Sequence, residues 1–188
     1  MDGKSYTQPV TVLNDPRSPA TAADLRAQHE LQMKIYDGIR EAWVGHEQVA
    51  AIRAAVAGDT AAAAPVEVVV AAKALDSTLA AVAGSTEGGR GFGRGGAPAP
   101  PTFVGVSDAL VRQLTTLENG DLAPTEAMQR AYVAGCAELK TVVTTWGSIT
   151  TTALAAFNAV LAKHTLRSIA PPPAASVLAL PACPPPAR

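Results

Sequence analysis

From Thr125 to about Lys163, apolar side chains recur at three- and four-residue steps: Met128, Tyr132, Leu139, Val142, Trp146, Ile149, Ala153, Phe157 and Val160. That period is one face of an α-helix and not a strand. Thr125 follows Pro124 and caps the helix, with Glu126 in its first turn. Such a helix, about 37 residues, is roughly 55 Å long. A rod of that length needs a partner of similar length to bury its stripe. Residues up to Ala57 supply one. Its start is Ser18 before Pro19, or Thr21 in a box-like cap with Asp24. Leu25, Met33, Tyr36, Ile39, Trp43, Val49, Ile52 and Val56 then recur at helical steps, while Arg26, Glu30 and Lys34 alternate in sign along a solvated face. Gly38 and Gly45 weaken and bend the middle of this helix.

Between the long helices lie two short ones. One opens at Ala61–Pro65 and runs to about Ala83, where Gly84 stops it; Leu75, Leu79 and Val82 outweigh the β-branched run Val68–Val70. The other spans Phe103 to Glu118 and ends at Asn119-Gly120. Residues 84–101 separate them, with seven glycines by Gly96 and then Ala-Pro-Ala-Pro-Pro, the composition of a flexible loop. The whole chain of 188 residues carries 39 alanines but only 4% aromatics, which suits thin, closely packed helices. The expected fold is mainly α: an antiparallel bundle of two long and two short helices over 18–170. The expected core includes Leu25, Ile39, Trp43, Val49, Leu139, Trp146, Ile149 and Phe157.

The ends differ from the bundle. Residues 4–13 alternate around Val10 and Val12 and read as a β-strand, preceded by the hairpin-turn pair Asp2-Gly3 and followed by the turn Asn14-Asp15-Pro16. A lone strand leaves its ladder bonds unmade. Residues 1–17 are therefore expected to be the last strand and turn of a truncated sandwich, or a strand that borrows a sheet from a partner. Residues 171–188 hold seven prolines and the apolar cluster Val177–Leu180, an extended tail laid along the bundle.

A net charge of −1 argues against nucleic acid as the main partner. The longest uncharged stretch, Thr141–Ala162, contains eight Thr, Ser or Asn residues, so a buried helix is expected there and not a membrane span. Met1 is followed by polar residues without the apolar run of a signal peptide. Gly91-Phe-Gly-Arg-Gly-Gly96 matches a dinucleotide fingerprint by letter, but no strand precedes it and prolines follow. Arg90 and Arg94 are too few for an arginine-glycine RNA segment. His29 and His46 lack the Glu three residues earlier that di-iron bundles use, and their offset places them about 100° apart around the helix. His164 suits a helix C-terminus. Neither metal nor cofactor is expected. Cys136 and Cys183 read as two buried thiols or one bridge, and no catalytic set involving them or any Ser-His-Asp group can be assembled.

Two segments carry a family resemblance. One runs from Leu13-Asn14-Asp15-Pro16-Arg17 through the first long helix to Trp43. The other is Gln113–Met128, with Leu117-Glu-Asn-Gly-Asp-Leu-Ala-Pro-Thr-Glu126 at its centre. Both resemble the C-terminal region of large bacterial secreted proteins built on sortilin-like, BNR-repeat β-propellers, often labelled glycosyl hydrolases or exo-sialidase-like. In that family a β-sandwich follows the propeller and its last strand runs into a helical region, so the resemblance covers essentially this whole chain. The family's Asp-box, Ser-x-Asp-x-Gly-x-Thr-Trp, is missing here, and no catalytic residue carries over. The resemblance implies an exported, non-catalytic structural module that packs on the preceding sandwich and propeller or forms a homo-oligomer. The alternative is an accessory part of a glycoside-processing enzyme whose catalytic propeller lies elsewhere. Export implies an oxidising compartment and, with it, a Cys136–Cys183 bridge.

Overall fold

Thr21 settles where the first helix begins. Its hydroxyl accepts from the Asp24 backbone N–H at 3.2 Å, and the Asp24 carboxylate accepts in return from the Thr21 backbone N–H at 2.8 Å. This reciprocal capping box satisfies the orphan donors of the first turn. The Thr21 hydroxyl, which also donates to the Asp24 carboxylate at 2.7 Å, and then the Thr21 backbone N–H hold that carboxyl below its ordinary pKa. The computed structural model describes residues 3, 5–59, 64–85, 99–173, 178, 183 and 184. The helices are α1 (Ala22–Asp59), α2 (Val66–Ala83), α3 (Phe103–Leu117), α4 (Glu126–Ser148) and α5 (Leu154–Lys163), with a π-helical segment, Ile149–Ala153, joining the last two.

The contacts between helices define three parallel or antiparallel rods. Arg53 of α1 pairs with Asp76 of α2 (2.6 Å), and the α1 residue Gln28 donates to the backbone at the far end of α3. Both α2 and α3 therefore run against α1, one along its second half and one along its first. They are the halves of a single broken rod. Gly84, just after α2, and Thr102, which caps α3 through Gly105 N–H (3.1 Å), are adjacent: a Cβ on Gly84 would sit 2.5 Å from the Thr102 hydroxyl. The chain leaves the rod at Gly84 and re-enters it at Thr102. The glycine also has φ +82°, a conformation that L side chains resist. The third rod is α4, the π segment and α5. Trp146 Nε1 donates to Gln48 Oε1 at 2.9 Å, and Glu67 at the start of α2 meets Lys163 (3.2 Å) and His164 (3.0 Å) at the end of α5. Hydrogen bonds from His164 and Lys163 hold the Glu67 carboxyl below its ordinary pKa.

The core lies between the rods. Val49, Leu139, Trp146, Ile149 and Phe157 are buried as expected, and Leu25 and Ile39 are half-buried. Trp43 is not in the core: it is 50% exposed, with Met33 (44%) and Tyr36 (52%) on the same side of α1. The buried seam of α1 is instead Gln28, Leu31, Ile35, Ala42, Val49, Ile52 and Val56, continued through Gly38 and Gly45. The two glycines are points of close approach. A Cβ on Gly38 would lie 3.0 Å from Leu110, and one on Gly45 would lie within 2.7 Å of three ring carbons of Phe103. Large side chains from α3 fill the seam where α1 has none, so the aromatics of α1 have no room inside.

This predicts opposite signs for two glycine substitutions. Gly147→Ala, with open space around it in α4, should stabilise by up to about 1 kcal/mol through helix propensity. Gly45→Ala should destabilise by about 1–3 kcal/mol, because Phe103 is fully buried and cannot move aside. Urea denaturation of both variants measures the contrast.

Gln28 is the one buried polar side chain among the described core residues. Its amide donates to Leu117 O at 2.5 Å and to Gly120 O at 2.7 Å, capping the C-terminus of α3 from a neighbouring helix. Gln28→Ala should cost about 1–3 kcal/mol by removing the side-chain donor from the Leu117 carbonyl at the end of α3. Hydrogen exchange should show the loss first at the end of α3.

The π segment adjusts the last rod. Leu154 N–H reaches Ile149 O, five residues back, and the hydroxyls of Thr150 and Thr151 both bond Gly147 O at 2.9 Å. The extra residue in that turn advances the buried face by one position. Leu154 and Leu161 are buried where the even helical period points to Ala153 and Val160, which are half-buried.

Among the described residues no strand forms. Residues 5–13 are exposed and have no ladder partner there; Tyr6, Val10, Val12 and Leu13 are 83–90% exposed. The turn after them is present, with Asp15 Oδ1 accepting from Arg17 N–H at 2.9 Å. Beyond α5, Asn158 clamps Ile169 through two bonds of 2.8 Å, to its carbonyl and from its N–H. Leu178 packs on the core, and Cys183 is bridged to Cys136 of α4 across a Cα separation of 5.6 Å.

Candidate functional site

The chemistry-bearing residues do not converge on one place. Among the described residues, no group of three or more His, Cys, Asp or Glu side chains is arranged to hold a metal ion. His164 is tied to Glu67, and His29 is exposed on α1. His46 lies against Trp43 with ring centroids 5.5 Å apart, and its Nδ1 is buried without a hydrogen-bond partner among the described residues. Both cysteines are in the bridge. The segment Gly91–Gly96 lies outside the described residues.

Open grooves lie along the rods. One, about 590 Å³, lies between α1 and residues 167–173 and offers Gln48, Arg167 and Ser168 as polar groups. Another, about 930 Å³, runs beside the disulfide along Arg130, Lys140, Thr141, Thr144 and Thr145. Among the described residues, neither is lined by a carboxylate. A third groove contains Asp76, but its carboxylate is held below its ordinary pKa by the Arg53 hydrogen bond.

What stands out is apolar surface. Met33, Tyr36 and Trp43 form an exposed stripe along α1, and Tyr6, Val10, Val12 and Leu13 form an exposed extended segment. The Trp43 ring is held in place. Its Nε1 donates to Glu47 Oε1 at 3.1 Å, one helical turn on, and His46 lies beside it. Arg40 pairs with Asp37 at 3.5 Å on the same face. Residues that hold this stripe are visible in the sequence as a regular spacing, but the same spacing is also what a core face looks like. Only the filling of the Gly38 and Gly45 positions by α3 distinguishes the two. Among the described residues, no helix is long and apolar enough to cross a membrane. No protein-family model, curated protein or solved structure matches the chain.

Proposed function

We propose that the chain is a non-catalytic interaction module of a larger exported protein of the sortilin-like, BNR-repeat propeller type. The observation that carries this reading is the segment 5–13. It is extended and rich in β-forming residues, its apolar side chains are 83–90% exposed, and its backbone lacks a ladder among the described residues. Such a segment gains main-chain hydrogen bonds and side-chain burial by adding to the edge of another sheet. The preceding sandwich of the parent protein is that sheet. The Cys136–Cys183 bridge supports export, because disulfides persist in oxidising compartments. Sequencing the DNA upstream of the Met1 codon tests the reading. An in-frame propeller with Asp-boxes and a signal peptide is the expected result. A stop codon and ribosome-binding site directly before Met1 would overturn it.

A second reading is favoured by one observation, the half-exposed indole of Trp43. Here the chain is an accessory part of a glycoside-processing enzyme and Trp43 is a platform for a sugar ring. Oligosaccharide titration followed by tryptophan emission distinguishes the two. The interaction module gives no response, and the sugar platform gives a saturable blue shift that Trp43→Phe removes.

A further inference from the structure

We propose that the outer stripe of α1 is a self-complementary seam through which two copies of this chain pair antiparallel, about a twofold axis at the level of Gly38. This rests on the reading of the chain as an interaction module and names one partner, a second copy.

The stripe consists of His29, Met33, Tyr36, Arg40, Trp43 and Glu47, all exposed. Their steps alternate four and three residues, the 3.5-residue period of a helix-pairing seam. The inner seam of α1 has the same period and is filled by α3 and α4, so one helix carries two seams and one lacks a partner among the described residues.

The order of side chains selects the partner. Counting outward from Gly38, the residues are matched at equal distances: Tyr36 with Arg40, Met33 with Trp43, and His29 with Glu47. An antiparallel copy therefore sets a guanidinium against a phenol ring, a thioether against an indole and an imidazole against a carboxylate. Each is a favourable pair. A parallel copy in register would set Arg40 against Arg40 and Glu47 against Glu47, which repel. A twofold interface requires a surface complementary to its own reversal, and this stripe has that property. The Trp43 ring is already oriented by Glu47 and His46, which lowers the ordering cost of docking it. The seam is about 27 Å long and one helix wide, at the small end of specific interfaces, so the pairing is expected in the micromolar range.

Sedimentation equilibrium of the full, oxidised chain from about 1 μM to about 200 μM tests this. The expected mass rises from the 19.1 kDa of one chain toward twice that value. Met33→Glu should weaken association at least about tenfold, since it buries a carboxylate against an indole. Its helical circular dichroism and melting temperature as a monomer should be unchanged, because Met33 is outside the core. Glu47→Arg should also weaken association, and His29→Glu added to it should restore pairing by setting a carboxylate against the new guanidinium. A chain that stays at 19.1 kDa throughout overturns the proposal. So does association that persists undiminished in Met33→Glu, which would place the contact elsewhere, for example on residues 5–13. Failure of Glu47→Arg to be rescued overturns the register. None of these results bears on the upstream DNA, so loss of the dimer and loss of the parent-protein reading are told apart.

Discussion

Trp146→Ala should lower stability by about 3–5 kcal/mol. The indole is 4% exposed in the middle of the third rod, and its N–H donates to Gln48 on α1 at 2.9 Å. Truncation removes the apolar contacts between two rods, leaves a cavity that rigid helices close only in part, and deletes a hydrogen bond across the interface. For a chain of this length the melting temperature should fall by roughly 10 °C or more. The same change at the other tryptophan is the control. Trp43→Ala removes a half-exposed ring from the outer face of α1 and should shift stability by less than about 1 kcal/mol in the monomer. Equal losses at the two sites would contradict the placement of both.

Removal of the disulfide should cost about 4 kcal/mol in the chain-entropy model, given the 47 residues between Cys136 and Cys183. The closed loop contains the second half of α4, the π segment, α5 and the segment pinned by Asn158. The bridge fixes residue 183 beside α4. Cys136→Ser with Cys183→Ser, compared with the oxidised chain in urea, measures the loss. Reductant added to the oxidised chain should give the same midpoint as the double variant. A midpoint indifferent to reductant would mean the bridge does not form in the folded protein. A thiol reagent applied to the unreduced protein should find no reactive sulfur.

The third rod is the most legible part of the sequence, and the reason is local. Its stripe is made of large residues on one face, and the Thr125 cap, whose hydroxyl accepts from Met128 N–H at 3.3 Å, stands where the stripe begins. The one-residue advance after Ile149 was not legible. A π turn arises from hydroxyl and packing geometry around Gly147 and leaves the apolar spacing ambiguous between Ala153 and Leu154. In α1 the bulkiest residues were the misleading ones. Size suggests burial, but the close approach of α3 demands small residues at Gly38, Ala42 and Gly45, and Met33, Tyr36 and Trp43 turn outward. Stepping back by threes and fours from Val56, Ile52 and Val49 reaches those small residues and then Ile35, Leu31 and Gln28, so the signal was present but faint. The union of α2 and α3 into one rod depends on Gly84 meeting Thr102, a contact across 18 residues that no local pattern encodes. The candidate surface inherits the same history: the residues of the outer stripe were visible, and their direction was not.

The outward direction of the α1 aromatics is what the proposed interface depends on, and two single-tryptophan proteins test it directly. At submicromolar concentration, Trp146→Phe leaves only Trp43, and Trp43→Phe leaves only Trp146. Emission from the Trp43 protein should be red-shifted and quenched by iodide, while emission from the Trp146 protein should be blue-shifted and protected. A protected, blue-shifted Trp43 would contradict the outward stripe and the self-pairing seam built on it.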